Sequence, residues 1–217
     1  MIGETFLSLA NALETGQFGK KIVVGITNRG SEHGAEAVSL GGVIAMSRNK
    51  NVEVILIGEK NNSGLKTIET DCDEEAHKIM EEMLKKGELD ACVTMHYPFP
   101  IGVSTVGRVI SQANGKESFI ATTTGTSATI REQAMFKNAV YGIITAKACG
   151  IEVPTVGILN IDSARTVERA LKDLASNGYN IKFGTSNRAD GGVVLRGNDI
   201  ITGAVDIVVC DSLTGNI

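Results

Sequence analysis

The densest run of side chains able to hold an anion is Ala121-Thr122-Thr123-Thr124-Gly125-Thr126-Ser127-Ala128-Thr129-Ile130-Arg131, where six hydroxyl residues surround a glycine as an apolar stretch ends. An anion beside Thr124, Gly125, Thr126 and Ser127 would meet hydroxyls, backbone N–H groups and Arg131, and such a nest needs no metal. The plainer alternative is that threonine favours strands and both hydroxyl residues favour caps. A second run, Leu89 to Arg108, passes from an apolar stretch containing Cys92 through His96-Tyr97-Pro98-Phe99-Pro100 to Ser104 and Thr105. Two prolines stiffen the loop, and a helix opening at Val103 would bring a histidine, a tyrosine and hydroxyls to one N-terminus. Against that, Tyr97 and Phe99 could simply cover a sheet end, Ser104 could only cap, and Cys92 could be a small core residue. As a nucleophile Cys92 would hold an acyl group, which requires a lowered thiol pKa. A third run, Asp211-Ser212-Leu213-Thr214-Gly215-Asn216, is a polar loop where the apolar stretch Ala204 to Cys210 stops. The weaker Thr27 to Gly34 segment offers Ser31 as a cap and His33 as its neighbour.

These runs need elements to position them. Short apolar strands are expected at Lys21 to Ile26, Val52 to Ile57, Ala91 to Met95, Phe119 to Thr123, Thr155 to Leu159, Ile181 to Phe183 and Ala204 to Cys210. Helices are expected at Thr5 to Glu14, after Gly30, and at Glu74 to Lys86, Val103 to Gln112, Arg131 to Cys149 and Ser163 to Asn177. The stretch Glu59 to Asp73 has no clear period. Apolar strands alternating with helices predict an α/β fold, a three-layer α/β/α sandwich around a mostly parallel sheet. In such sheets sites gather at the carboxyl ends of strands, so the hydroxyls at Ser104 and Thr126 should share one edge.

Composition narrows the function classes. A formal net charge of −4, with no basic stripe interleaved with aromatics, gives no footprint for nucleic acid. No apolar run approaches the roughly 18 residues of a membrane span, and the first residues lack a basic, then apolar, leader pattern. The four cysteines, Cys72, Cys92, Cys149 and Cys210, are widely spaced, which argues for reduced thiols in a cytoplasm. No metal-ligand spacing and no G-x-G-x-x-G after a strand occur, so neither a metal nor a cofactor is expected.

The motifs TMHYPFPIGVSTVGR, ATTTGTS, KACGIEVPTVGILN, SNRADGG, RGNDIITGAVD and DSLTGNI resemble the component C alpha-subunit family of glycine/sarcosine/betaine reductase complexes from anaerobic amino-acid-fermenting bacteria. The resemblance runs from about Ile2 to Ile217. PTVGILN, GNDI and CDSLTGN are also similar to the phosphate acyltransferases of fatty acid and phospholipid synthesis. Those enzymes have a glycine-asparagine-threonine-glycine turn where His96 to Gly102 lies and an aspartate-valine-glycine-alanine-asparagine turn where Thr123 to Ser127 lies. The resemblance implies an isocitrate/isopropylmalate-dehydrogenase-like fold over one region, 1–217, truncated at its C-terminus as a fragment of a longer chain.

It further implies an acyltransferase subunit that forms acetyl phosphate from phosphate and an enzyme-bound acetyl thioester, in an oligomer with selenoprotein A and the beta subunit of component C. On that reading Ser104, Thr105 and Thr124 to Ser127 hold phosphate, while Thr214, Gly215 and Asn216 serve the oxyanion or substrate. His96 moves the proton, and either Cys92 or a residue beyond Ile217 carries the thioester. The alternatives are an acyltransferase using acyl-carrier-protein or coenzyme A thioesters, and a non-catalytic docking subunit. The 217 residues alone are expected to fold without useful activity, leaving Ile207, Val209 and Leu213 exposed where a covering helix is missing.

Overall fold

A computed structural model describes residues 6, 7, 10, 12–14 and 20–216; the expected helix at 5–14 thus lies partly outside the described residues. The chain forms two compact units, residues 1–98 and 99–217.

In the first unit β1 (Ile22–Thr27), β2 (Val52–Gly58), β3 (Lys66–Glu69) and β4 (Ala91–Val93) make a sheet in the order β3-β2-β1-β4. Every pairing in it is parallel. The helices are α1 (Gly34–Arg48) and α2 (Asp73–Lys86). Because side chains alternate across a strand, Val54 and Leu56 of β2 join Ile26 in one cluster, while Ile55 and Ile57 pack with Ala76, Met80 and Met83 of α2 in another. Burial on both faces explains the nearly continuous apolar run of β2. The stretch without a clear period holds β3, an edge strand of four residues bounded by Lys66 and Glu69, charges that suit an exposed edge.

The second unit contains β5 (Val103–Ile110), β6 (Glu117–Thr126), β7 (Thr155–Leu159), β8 (Lys182–Phe183), β9 (Val194–Leu195) and β10 (Ile207–Val209). Its helices are α3 (Arg131–Ala148), α4 (Ala164–Ser176), α5 (Gly197–Ile201) and α6 (Ser212–Gly215). The sheet order is β5-β6-β10-β7-β8, with β9 also on β7, and only the β5–β6 pair is antiparallel. The helix expected from Val103 to Gln112 is instead β5. Its Val103, Thr105, Val106, Val109 and Ile110 are β-branched and stiff at χ1, which suits a pleated strand. The turn that follows contains Asn114 and Gly115, with Gly115 at φ 68°, so the chain folds back as a hairpin and β6 begins earlier and ends later than expected.

The core of this unit lies between the sheet and the helices α3 and α4, where Phe119, Ile158, Ile207 and Val209 meet Met135, Ala139 and Ile143 of α3 and Leu171 of α4. On the other sheet face Val208 packs with Leu195, Val205 and Ile200 of α5. Ile207 and Val209, expected to be exposed, are 0% exposed because α3 already covers β10; Leu213 alone of the three is open, at 79%. Both units show the expected α/β architecture with largely parallel sheets. Among the described residues no helix is long and apolar enough to cross a membrane, and no cluster of three metal-ligating side chains is found.

Two carboxylates pin the second unit. Asp206 accepts from Thr155 N (2.7 Å) and Thr155 Oγ1 (2.6 Å) and pairs with Lys116 (2.9 Å), fastening the starts of β7 and β10. Asp199 accepts from Ser186 Oγ, Asn187 N and Arg196 N at 2.7 to 2.8 Å, so the SNR and GND motifs are two halves of one clasp. Burial alone would raise both carboxyls; the hydrogen bonds from Thr155 and Lys116 on Asp206, and from Arg196, Asn187 and Ser186 on Asp199, outweigh it and hold them below their usual range. A carboxyl depressed in the folded state stabilises the fold above its unfolded pKa, about 3.9, and that stability is lost as pH falls through the folded value. The thermal midpoint should therefore drop as pH is lowered below about 4, and Asp206→Asn should flatten the drop. A midpoint that rises on acidification would contradict this.

Candidate functional site

The carboxyl ends of the adjacent parallel strands β6 and β10 open into a cavity of about 200 Å³ lined by Thr126, Thr129, Arg131, Asn138, Asp211 and Ser212. This is the strand edge where sites of open α/β sheets form. The 18-residue α3 begins at its wall, and no side chain caps that helix, whose N-cap is Ile130. The Glu132 carboxylate bonds its own amide on this turn; the remaining first-turn N–H groups together with the helix dipole favour an anion. Arg131 stands on the first turn, pairs closely with Asp211, and reaches Asp162 at 3.7 Å. Burial would push the Asp211 carboxyl up, but hydrogen bonds from Thr214 and Arg131 prevail and hold it below the usual range.

The hydroxyl run is here, though its donors point inward. Ser104 Oγ donates to Asn138 Oδ1 at 3.2 Å, and the Ser127 hydroxyl lies 2.8 Å from the same oxygen and 2.9 Å from Ala134 O. Thr126 Oγ1 donates to Ala128 O at 2.7 Å, Thr122 donates to Thr105 O, and the Thr105 and Thr123 hydroxyls pair at 2.7 Å. Thr124 N donates to Thr105 Oγ1 at 2.9 Å, and the Thr124 residue is exposed. Ser104 and Thr126 do share one edge, because Ser104 pairs with Gly125 and Val103 with Thr126 across a hairpin rather than because two helices start there. These hydroxyls build the wall. The donors left for a ligand are Arg131, the first turn of α3, and the Thr129 and Ser212 hydroxyls, which have no hydrogen-bond partner among the described residues.

At the end of β10, Asp211 caps α6 through Thr214 N at 2.8 Å, and Gly215 N donates to Asp211 O at 3.0 Å. The Thr214 and Gly215 amides, expected to face an oxyanion, are thus engaged within their own turn, and Asn216 follows them as an exposed residue.

Cys92 and His96 belong to the first unit. The Cys92 thiol, half-buried on β4 against the cluster of Ile57 and Met80, is pushed up to about 11 by burial, opposite to the shift a resting thiolate needs. His96 adopts φ 52°, and its Nε2 lies 3.0 Å from Gly30 O, joining the loops that leave β4 and β1. Ser31 Oγ accepts from His33 N at 3.2 Å, one turn before α1, so it organises the approach to the helix rather than capping it.

Asn138 was not singled out from the sequence. Its signal was a polar residue on the helix face that Ala134, Met135, Ala139 and Gly142 mark as apolar and buried.

Two sheets packed with helices define an α/β protein, with a polar candidate cavity at a carboxyl strand edge. Within that class the chain belongs to the fatty acid synthesis protein family, whose model, described as "Fatty acid synthesis protein", matches residues 22–196. It is 59% identical over 217 residues to the "Glycine/sarcosine/betaine reductase complex component C subunit alpha" of Peptoclostridium acidaminophilum, covering 100% of this chain and 56% of that one. The "Phosphate acyltransferase" of Bacillus cytotoxicus is 24% identical over 231 residues, covering 89% of this chain and 68% of its own. That of Thermotoga neapolitana is 25% identical over 207 residues, covering 82% and 62%. The chain therefore spans a little over half the length of the reductase subunit it matches at 59% identity.

Proposed function

We propose that this chain is part of an acyltransferase that forms acetyl phosphate from an enzyme-bound acetyl thioester and phosphate, within a glycine/sarcosine/betaine reductase complex. The observation that carries the reading is Arg131 on the uncapped first turn of α3, over a cavity at the ends of β6 and β10. A phosphate oxygen there would be held by charge-assisted bonds from Arg131 and by α3 amides. That oxygen attacks the thioester carbonyl, the new C–O bond forms, the C–S bond breaks, and the sulfur leaves as a thiolate that takes up a proton. As its partners in that complex we propose a selenoprotein A and a component C beta subunit, which the motif resemblance implies.

The nearer rival, acyl transfer from acyl-carrier-protein or coenzyme A, draws on relatives only 24 to 25% identical, against 59% for the reductase subunit. The assembled complex should convert its acetyl thioester and phosphate to acetyl phosphate, measured as hydroxamate, and should hydrolyse acetyl phosphate when arsenate is added. Acyl phosphate formed only from coenzyme A or carrier-protein thioesters would favour the rival. Formation that is indifferent to replacing this chain with an Arg131→Ala variant would leave it a docking subunit.

A further inference from the structure

One buried amide bonds segments on both sides of the cavity. Asn138, 1% exposed on α3, accepts at Oδ1 from Ser104 Oγ on β5 and Ser127 Oγ beyond β6, and its Nδ2 donates to Cys210 O beyond β10 at 3.2 Å. Cys210 precedes Asp211, whose carboxylate caps α6 and pairs with Arg131; Ser127 follows Thr126 on the opposite wall. We propose that Asn138 is the positioning residue of this cavity, setting through Cys210 and Ser127 the separation of the Asp211–Arg131 pair from the hydroxyl wall. The inference rests on the phosphate reading for its ligand, but the positioning itself can be read without one.

The chemistry singles out an amide. The hub needs an oxygen that accepts from two hydroxyls and, one atom away, a donor for a carbonyl; at this length asparagine offers both at any pH and aspartate only when protonated. An ionised aspartate keeps the acceptor and sets a negative oxygen against Cys210 O. Leucine fills the volume and keeps neither.

The test compares wild type, Asn138→Asp and Asn138→Leu by hydrogen exchange over residues 122–129 and 209–215, and by calorimetric titration with inorganic phosphate. At pH 7.5 both variants should exchange about tenfold faster in those two segments, and bind phosphate about tenfold more weakly. At pH 5 the buried carboxyl of Asn138→Asp becomes protonated, its O–H can donate to the Cys210 carbonyl, and exchange and affinity should return toward those of wild type at the same pH. Asn138→Leu should show no recovery. Unchanged exchange at pH 7.5 in either variant, or equal behaviour of the two variants at both pH values, would overturn the proposal and make Asn138 a filler of space. If Asn138→Asp is unfolded at pH 7.5, recovery of structure at pH 5 supports the proposal and its absence overturns it. If wild type binds no phosphate, the functional reading fails while the exchange data still decide the positioning role.

Discussion

Gly215→Ala should cost this chain roughly 3 kcal/mol, the upper part of the range for overpacking a tight contact. A Cβ on Gly215 would lie 1.9 Å from Thr122 O and 2.9 Å from Cys210 Sγ. The first of these is strand backbone, held in β6 between β5 and β10, so it cannot swing aside as a side-chain tip would. The turn from Ser212 to Gly215 must lift off, taking with it the Asp211 cap and the Arg131 pair. At about 2 to 4 °C per kcal/mol for a chain of this size, the thermal midpoint should fall by roughly 6 to 12 °C. Gly41→Ala is the matching control: it lies inside α1 with nothing within 4 Å of the added carbon, and should stabilise by up to about 1 kcal/mol, the helix-propensity difference. Equal midpoints for the two variants would show that α6 is not packed against β6 as described.

The second large effect belongs to Arg131. Among the described residues its guanidinium is the one side-chain cation lining the cavity, so Arg131→Ala should remove charge-assisted bonds worth about 1.5 to 3 kcal/mol and weaken phosphate binding by roughly 10- to 150-fold. Arg131→Lys keeps the charge but loses the planar fork that now spans Asp211 and Asp162, so it should restore only part of the affinity. Binding should weaken with salt more in wild type than in Arg131→Ala. Phosphate titrations at two ionic strengths check both points, and an unchanged dissociation constant for Arg131→Ala would remove this residue from the site.

How far the sequence could be read depended on which physical effect decided each element. Burial on both faces made β2 and β7 legible as continuous apolar runs, and α4 was legible from its periodic apolar face. β5 departs from the alternation of strands and helices because five β-branched residues and the Asn114-Gly115 turn after them, both local signals for a hairpin, decide its conformation. The hydroxyl run could be seen, but not the direction of its donors. Whether Thr126 offers its proton to a ligand or to Ala128 O depends on tertiary placement that no spacing encodes. The same holds for Ile207 and Val209, since the helix that buries them, α3, lies some 60 residues earlier in the chain. Asn138 was within reach of a reading that asked why an amide interrupts the buried stripe of α3.

Crystals of the protein grown with arsenate, whose arsenic can be located by anomalous scattering, test the central claim most directly. The account predicts an anomalous peak in the cavity at the ends of β6 and β10, within hydrogen-bonding distance of Arg131 and the first-turn amides of α3, and its loss in Arg131→Ala. An empty cavity beside an occupied site elsewhere, such as the Gly30-Ser31 turn before α1, would contradict it.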